Sequence, residues 1–189
     1  MKTAITRRRM VTLGSAGVGG WSTAMIAKSS RADVQHHSQN RLAVEQNLSF
    51  ADYISVINTV NGIAIFADLR DWQRCRQSFT DTVEFDYTSL IGGKPVSITA
   101  DQQIEQWATF FAETFNATQH LVGSHVVTIS GTTATCLSNF QAHHTYLDTS
   151  KGIWVLSGYY EHDLVRNGNR WQVNRMKMTW TWEEGTRPF

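Results

Sequence analysis

Residues 119–146 read QHLVGSHVVTISGTTATCLSNFQAHHTY, and their apolar side chains tend to recur at every second position on either side of Ser130-Gly131. A period of two belongs to a strand with one buried face, and Ser-Gly between two such runs closes a hairpin. Toward the carboxy end the same period continues, broken by a longer Leu147–Gly152 loop and by Asn167-Gly168-Asn169. The pattern predicts four long antiparallel strands, Gln119–Ile129, Thr132–Tyr146, Ile153–Arg166 and Arg170–Trp182.

Before Asn116 the period is near 3.6 instead. Ser49-Phe50-Ala51-Asp52 reads as a capping box opening a helix to about Ala67, with Tyr53, Ile54, Ile57, Val60, Ala64 and Phe66 mostly on one face. Trp72, Cys75 and Phe79 predict a second, short helix. Thr82–Tyr87 alternates as a strand that turns out at Gly92-Gly93-Lys94-Pro95, and a third helix from Thr99 carries Ile104, Trp107, Ala108, Phe111 and Phe115. Helices followed by a run of strands predict an α+β domain over residues 49–189. In it, three amino-terminal helices pack in the concave face of a curved, mostly antiparallel sheet, and both layers cover one pocket.

At 189 residues, 41% hydrophobic and 17% charged, the chain has apolar material for one core. Its net charge of +1 is unevenly spread: residues 1–32 hold six basic side chains and no acid, which leaves residues 33–189 at −5. An acidic body offers no electrostatic footprint for nucleic acid or an anionic membrane.

Thr6-Arg7-Arg8-Arg9 precedes a mildly apolar, Gly- and Ala-rich stretch and a small-residue site at Ser30-x-Ala32. That order resembles a twin-arginine export signal, so residues 1–32 are expected to be removed and the protein to be periplasmic or secreted. Residues 33–48, with His36-His37, read as a polar linker. Cys75 and Cys136 match no CxxC or zinc spacing and are expected as separate buried thiols unless the fold brings them together.

His120 and His143 stand inside strand patterns beside apolar residues. Alternation puts His120 on a face with Val122, Ser124 and Val126, and His143 with Leu137, Asn139 and Gln141; His125 and His144 fall on the opposite faces. Two imidazoles opening into one cavity could share proton transfer near neutral pH; the competing reading is a hydrogen-bonded structural pair. Asp68, at the end of the first helix, could orient one of them, and Tyr87 could donate to a substrate oxygen. His162 is left unassigned. A zinc triad of His120, His143 and His162 lacks any short-spaced ligand pair, and no Gly-rich phosphate loop or G-x-S-x-G elbow is present, so no metal or cofactor is expected.

Phe50-Ala51-Asp52-Tyr53, Asp68-Leu69-Arg70-Asp71-Trp72, Asp86-Tyr87, Thr118-Gln119-His120, and His143-x-x-Tyr146 with Asp148 stand in one order along the chain. Their order and separations resemble F-x-D-Y, D-x-K-D-W, D-Y, T-Q-H and H-x-x-Y-x-D of the scytalone dehydratase family. That family belongs to the cone-shaped superfamily, like nuclear transport factor 2, that also holds the SnoaL-like cyclases, limonene epoxide hydrolase and steroid isomerase. The likeness runs from about Phe50 to Trp182. It implies a cofactor-free lyase acting on a cyclic, aromatic or polyketide-like hydroxy-ketone. His120, held by Asp68, would remove a proton beside the carbonyl while His143 and a water on Tyr87 assist loss of the hydroxyl. Tyr53, Tyr160 and Trp180 are the expected substrate-contacting aromatics, and a homotrimer is implied.

The chain also departs from the family. The second water-holding tyrosine falls at Ala67, the family's Ser and Asn on the penultimate strand have no clean match, and the carboxy-terminal lid is short, ending at Arg187-Pro188-Phe189. Isomerisation or cyclisation with the same base, a non-catalytic ligand-binding domain and an oxygenase structural subunit are the alternative readings.

Overall fold

The computed structural model describes residues 50–189; the export segment, the polar linker and the Ser49 cap lie outside the described residues. The elements run α1 (Phe50–Asp68), α2 (Trp72–Gln77), β1 (Phe79–Asp86), α3 (Thr88–Ile91), β2 (Val96–Thr99), α4 (Ala100–Thr114), β3 (Phe115–Ser130), β4 (Thr133–Tyr146), β5 (Ile153–Asn167) and β6 (Arg170–Gly185). The six strands form one sheet in the order β2-β1-β6-β5-β4-β3. Every neighbouring pair is antiparallel except β1 with β6. The four carboxy-terminal strands stand where alternation puts them.

The differences lie in the amino-terminal half. Phe79 begins β1 and Phe115 begins β3, whereas helical spacing assigns both to the preceding helices. Both rings are almost wholly buried, at 0% and 3% exposure, and a ring at a helix-to-strand junction satisfies either period. The short α3 and β2 are too brief for periodicity to announce them. β2 is held by its ladder to β1, Val83 opposite Ile98, and it leads into a capping box at the start of α4. There Thr99 Oγ1 accepts from the Gln102 amide at 3.2 Å while Gln102 Oε1 accepts from the Thr99 amide at 3.0 Å.

The face that α1 buries is not the one its spacing predicts: of Tyr53, Ile54, Ile57, Val60, Ala64 and Phe66 only Val60 is fully buried. In the fold Val56, Val60, Ile63 and Ala67 face the sheet and Ile54 turns outward. Asp52, in its first turn, pairs with Arg166 and accepts from Trp171 Nε1 at 3.2 Å, which ties the helix to the β5–β6 hairpin. Cys75 and Cys136 are free, separate and buried.

Gly158 marks the tightest approach in the sheet. A Cβ there would stand 1.9 Å from the Thr179 carbonyl oxygen of β6 and 3.2 Å from the Phe140 ring. Gly158→Ala is expected to cost about 3 kcal/mol through forced separation of β5 from β6. A lower urea midpoint at unchanged slope is the measurement that checks it.

Candidate active site

Asp68 is the last residue of α1, where Arg70 takes a left-handed φ of 57° and turns the chain away. Its carboxylate meets β3, on which Thr118 and His120 are two apart and therefore share a face. Asp68 Oδ1 accepts from His120 Nδ1 at 2.7 Å and from Thr118 Oγ1 at 2.8 Å. Oδ2 accepts from the His120 backbone amide at 2.6 Å. Arg70 in turn donates to Thr118 Oγ1 and to the Ala67 carbonyl, both at 2.8 Å, with its guanidinium 4.7 Å above the Phe111 ring.

Burial opposes the charge on Asp68, yet the hydrogen bonds and charge of His120, joined by Thr118, outweigh it and hold the carboxyl below its ordinary range. Asp68 is thus an anion at neutral pH. Because an anionic carboxylate only accepts, the His120 proton sits on Nδ1, and in the neutral ring Nε2 keeps a free lone pair.

His120 stands between two spaces. On one side is a narrow chamber of about 60 Å³, walled by apolar groups such as Ile63, Ala67, Phe111 and Met176, with Tyr87, Trp107, Tyr160 and His162 as its other side chains that carry a polar atom. On the other is an open groove of about 720 Å³ that shares Ala64, His120 and Val122 with the chamber. A ring fits the groove; the chamber admits a substituent. Burial raises the Tyr87 and Tyr160 phenols well above their usual range, so both stay protonated donors. The Tyr87 hydroxyl points at Met176 Sδ, 3.9 Å away.

The structure therefore brings Asp68, His120, Tyr87 and Tyr160 together. It does not bring His143 to them. His143 is exposed on the outer face of β4 opposite Gln119, while His144 is 3% exposed with its ring 5.5 Å from that of His120. Strand register is the cause. His120 pairs with Ala142, so the even-numbered residues of β4 share its face. Reading each strand alone leaves that choice open, although Ala134, Cys136, Phe140, Ala142 and Tyr146 make the even row the more apolar one.

A bulge between Gly123 and Val126, with Ser124 at a φ of 56°, reverses the phase of β3. His125, expected to face away from His120, turns inward and meets Asn61 Oδ1 at 2.9 Å, and Val126 is exposed. Tyr53 and Trp180 line neither the chamber nor the groove. Among the described residues no three His, Cys, Asp or Glu side chains gather as a metal-binding group.

His144 sits in a nest of aromatic rings, against Phe115 and Trp154 at 4.7 Å each. Burial, then the neighbouring His120, lowers its pKa to about 4, so it is neutral at pH 7. Nδ1 lies 3.1 Å from the Trp154 carbonyl, which only accepts, so Nδ1 carries the proton and Nε2 is bare. Arg70 and Thr118, which brace Asp68, and His144 are the site members that sequence reasoning did not assign. The Thr118-Gln119-His120 segment carried the signal for Thr118, and Asp68-Leu69-Arg70-Asp71-Trp72 that for Arg70.

A cone of helices and curved sheet around a histidine held by a carboxylate defines the class, and residues 49–177 match the SnoaL-like domain. The chain belongs to the SnoaL-like domain family. It is 28% identical over 162 residues to the dehydratase cfoI of Aspergillus candidus, spanning 76% of this chain and 94% of that protein. Among solved structures, the Kfla4162 protein of Kribbella flavida is 27% identical, with a TM-score of 0.67 over 70% of this chain and 93% of that one. A protein of Novosphingobium aromaticivorans, provisionally assigned as a scytalone dehydratase, shares the fold at 15% identity and a TM-score of 0.64, over 73% and 89% of the two chains.

Proposed function

We propose that this domain is a cofactor-independent lyase that removes water from a cyclic, aromatic or polyketide-like hydroxy-ketone, with Asp68–His120 as its base. The observation that carries the reading is the double grip of Asp68 on His120, through Nδ1 and through the backbone amide, at the boundary between groove and chamber. Likeness to a fungal dehydratase supports the choice of reaction.

In this mechanism the substrate ring lies in the groove and His120 Nε2 takes the proton beside the carbonyl. The electron pair left on carbon passes into the enolate, then forms the new double bond as the carbon–oxygen bond to the hydroxyl breaks. The departing oxygen needs a proton, which the imidazolium just formed on His120 returns, directly or by relay in which the Tyr87 hydroxyl passes its own proton and takes that of His120. His144 replaces His143 in the scheme. Its neutral ring stands edge-on to His120 and lines neither the groove nor the chamber, so it positions the base and supplies no proton. Phenolic donors in an apolar chamber hold the enolate oxygen more strongly than water would.

Ala67, on the chamber wall where the dehydratases place a second tyrosine, removes one leaving-group donor. It favours, as a second reading, isomerisation or cyclisation from the same enolate. Action after export and assembly as a homotrimer belong to the same proposal.

The test is incubation of the mature protein in D2O with a panel of cyclic β-hydroxy-ketones. Deuterium at the α-carbon and an unsaturated ketone are the expected products. Tyr87→Phe should keep the deuterium exchange and slow elimination about 10- to 100-fold. Recovery of every ketone unlabelled and unchanged would make the domain a binder instead.

A further inference from the structure

His162 is 2% exposed, lies on the inner face of β5 and forms part of the chamber wall, yet neither ring nitrogen has a hydrogen-bond partner within the protein. Almost every buried polar group in a folded protein is paired, and leaving one unpaired is costly. Its neighbours offer no remedy. Tyr160, two positions before it, presents a ring 5.5 Å away, and Cys136 opposite it on β4 is a thiol. Ser138, one inward position along β4, also has an unpartnered hydroxyl and is 1% exposed.

We propose that His162 is a substrate-binding residue that receives a second oxygen function, a hydroxyl carried into the chamber by a substrate whose reacting carbon faces His120. Burial, and secondarily His125, lowers the His162 pKa to about 3, so the ring is neutral and presents one N–H and one lone pair. A hydroxyl both donates and accepts, and so can pair with either nitrogen. A methyl group of the same size satisfies neither. The chamber, at about 60 Å³, suits such a substituent and not a whole ring. The substrate class narrows accordingly to ring compounds bearing a hydroxyl remote from the site of proton removal. This deepens the proposed function by taking the chamber as part of its substrate site, but its test needs no turnover.

The test compares phenol with toluene as probes of the full protein labelled with 15N in its histidine rings. Toluene is expelled from water more strongly, so the informative quantity is the ratio of the two dissociation constants. In the wild type, phenol is expected to shift the His162 ring nitrogens and toluene to leave them in place. In His162→Leu the preference for phenol should fall at least about ten-fold, the worth of one hydrogen bond of 1.4 kcal/mol. The melting temperature of this variant should hold or rise, since an unpaired polar group has been removed. Unmoved His162 resonances under phenol, or an unchanged ratio in His162→Leu, would show that the ring serves buried water alone and would overturn the proposal. The labelled wild type decides between these outcomes even if the variant does not fold. Loss of turnover in Asp68 variants leaves this result untouched.

Discussion

Asp68→Asn should lower turnover by about three orders of magnitude while the domain stays folded. With its oxygen kept on the His120 amide, the asparagine puts its NH2 group where Oδ1 stood, against Nδ1–H and the Thr118 hydroxyl, both of which donated to the carboxylate. The ring relieves the clash at Nδ1 by moving its proton to Nε2. In that tautomer the nitrogen facing substrate is already occupied and cannot take another proton. The Thr118 hydroxyl loses its charged acceptor, which costs about 1–3 kcal/mol of stability. Measurement of kcat on a ketone found in the D2O panel, with the imidazole 15N shifts of His120 alongside, checks both halves. A kcat within a few-fold of wild type together with the altered tautomer would remove His120 as the base.

A second large effect is expected from acid. His144 and His162 are held by burial at about 4 and about 3, against an ordinary histidine value of 6.5; His120 adds to the shift of the first and His125 to that of the second. In the unfolded chain both rings take a proton once the pH drops below 6.5, whereas in the folded protein they do not. The unfolded state then binds more protons, so stability is full above that pH and is lost as the pH falls toward the folded values. Two protons give a slope of up to about 2.7 kcal/mol per pH unit between pH 6 and 4. Asp68 acts in the same direction at lower pH, because its depressed carboxyl gives stability that disappears as it protonates. Urea unfolding at pH 7.5, 5.5 and 4.5 should show the decline, and His162→Leu should halve it. A flat profile would mean that the two rings are hydrated in the folded protein.

Two kinds of information were unequally legible in the residues. The long strands could be read because alternation persists over more than ten positions, and the Asp68–His120 pairing because a helix end and a strand motif each carried a matching segment. The inward histidine of β4 could not, since His143 and His144 are adjacent and differ only in which face they take. The phase of β3 after Gly123 was hidden for a related reason. A bulge adds one residue to a strand without altering its composition, and Ser124 does not announce a left-handed φ.

The amino-acid sequence by itself determined the α+β class, the four-strand run and the pairing of Asp68 with His120. These depend on local periodicity and on residues near one another in a motif. Only the tertiary structure decided which imidazole faces His120, that His162 closes the chamber without a protein partner, and that Tyr53 and Trp180 stand outside it. Those outcomes follow from register between strands, and register is a relation between two segments that neither one contains alone.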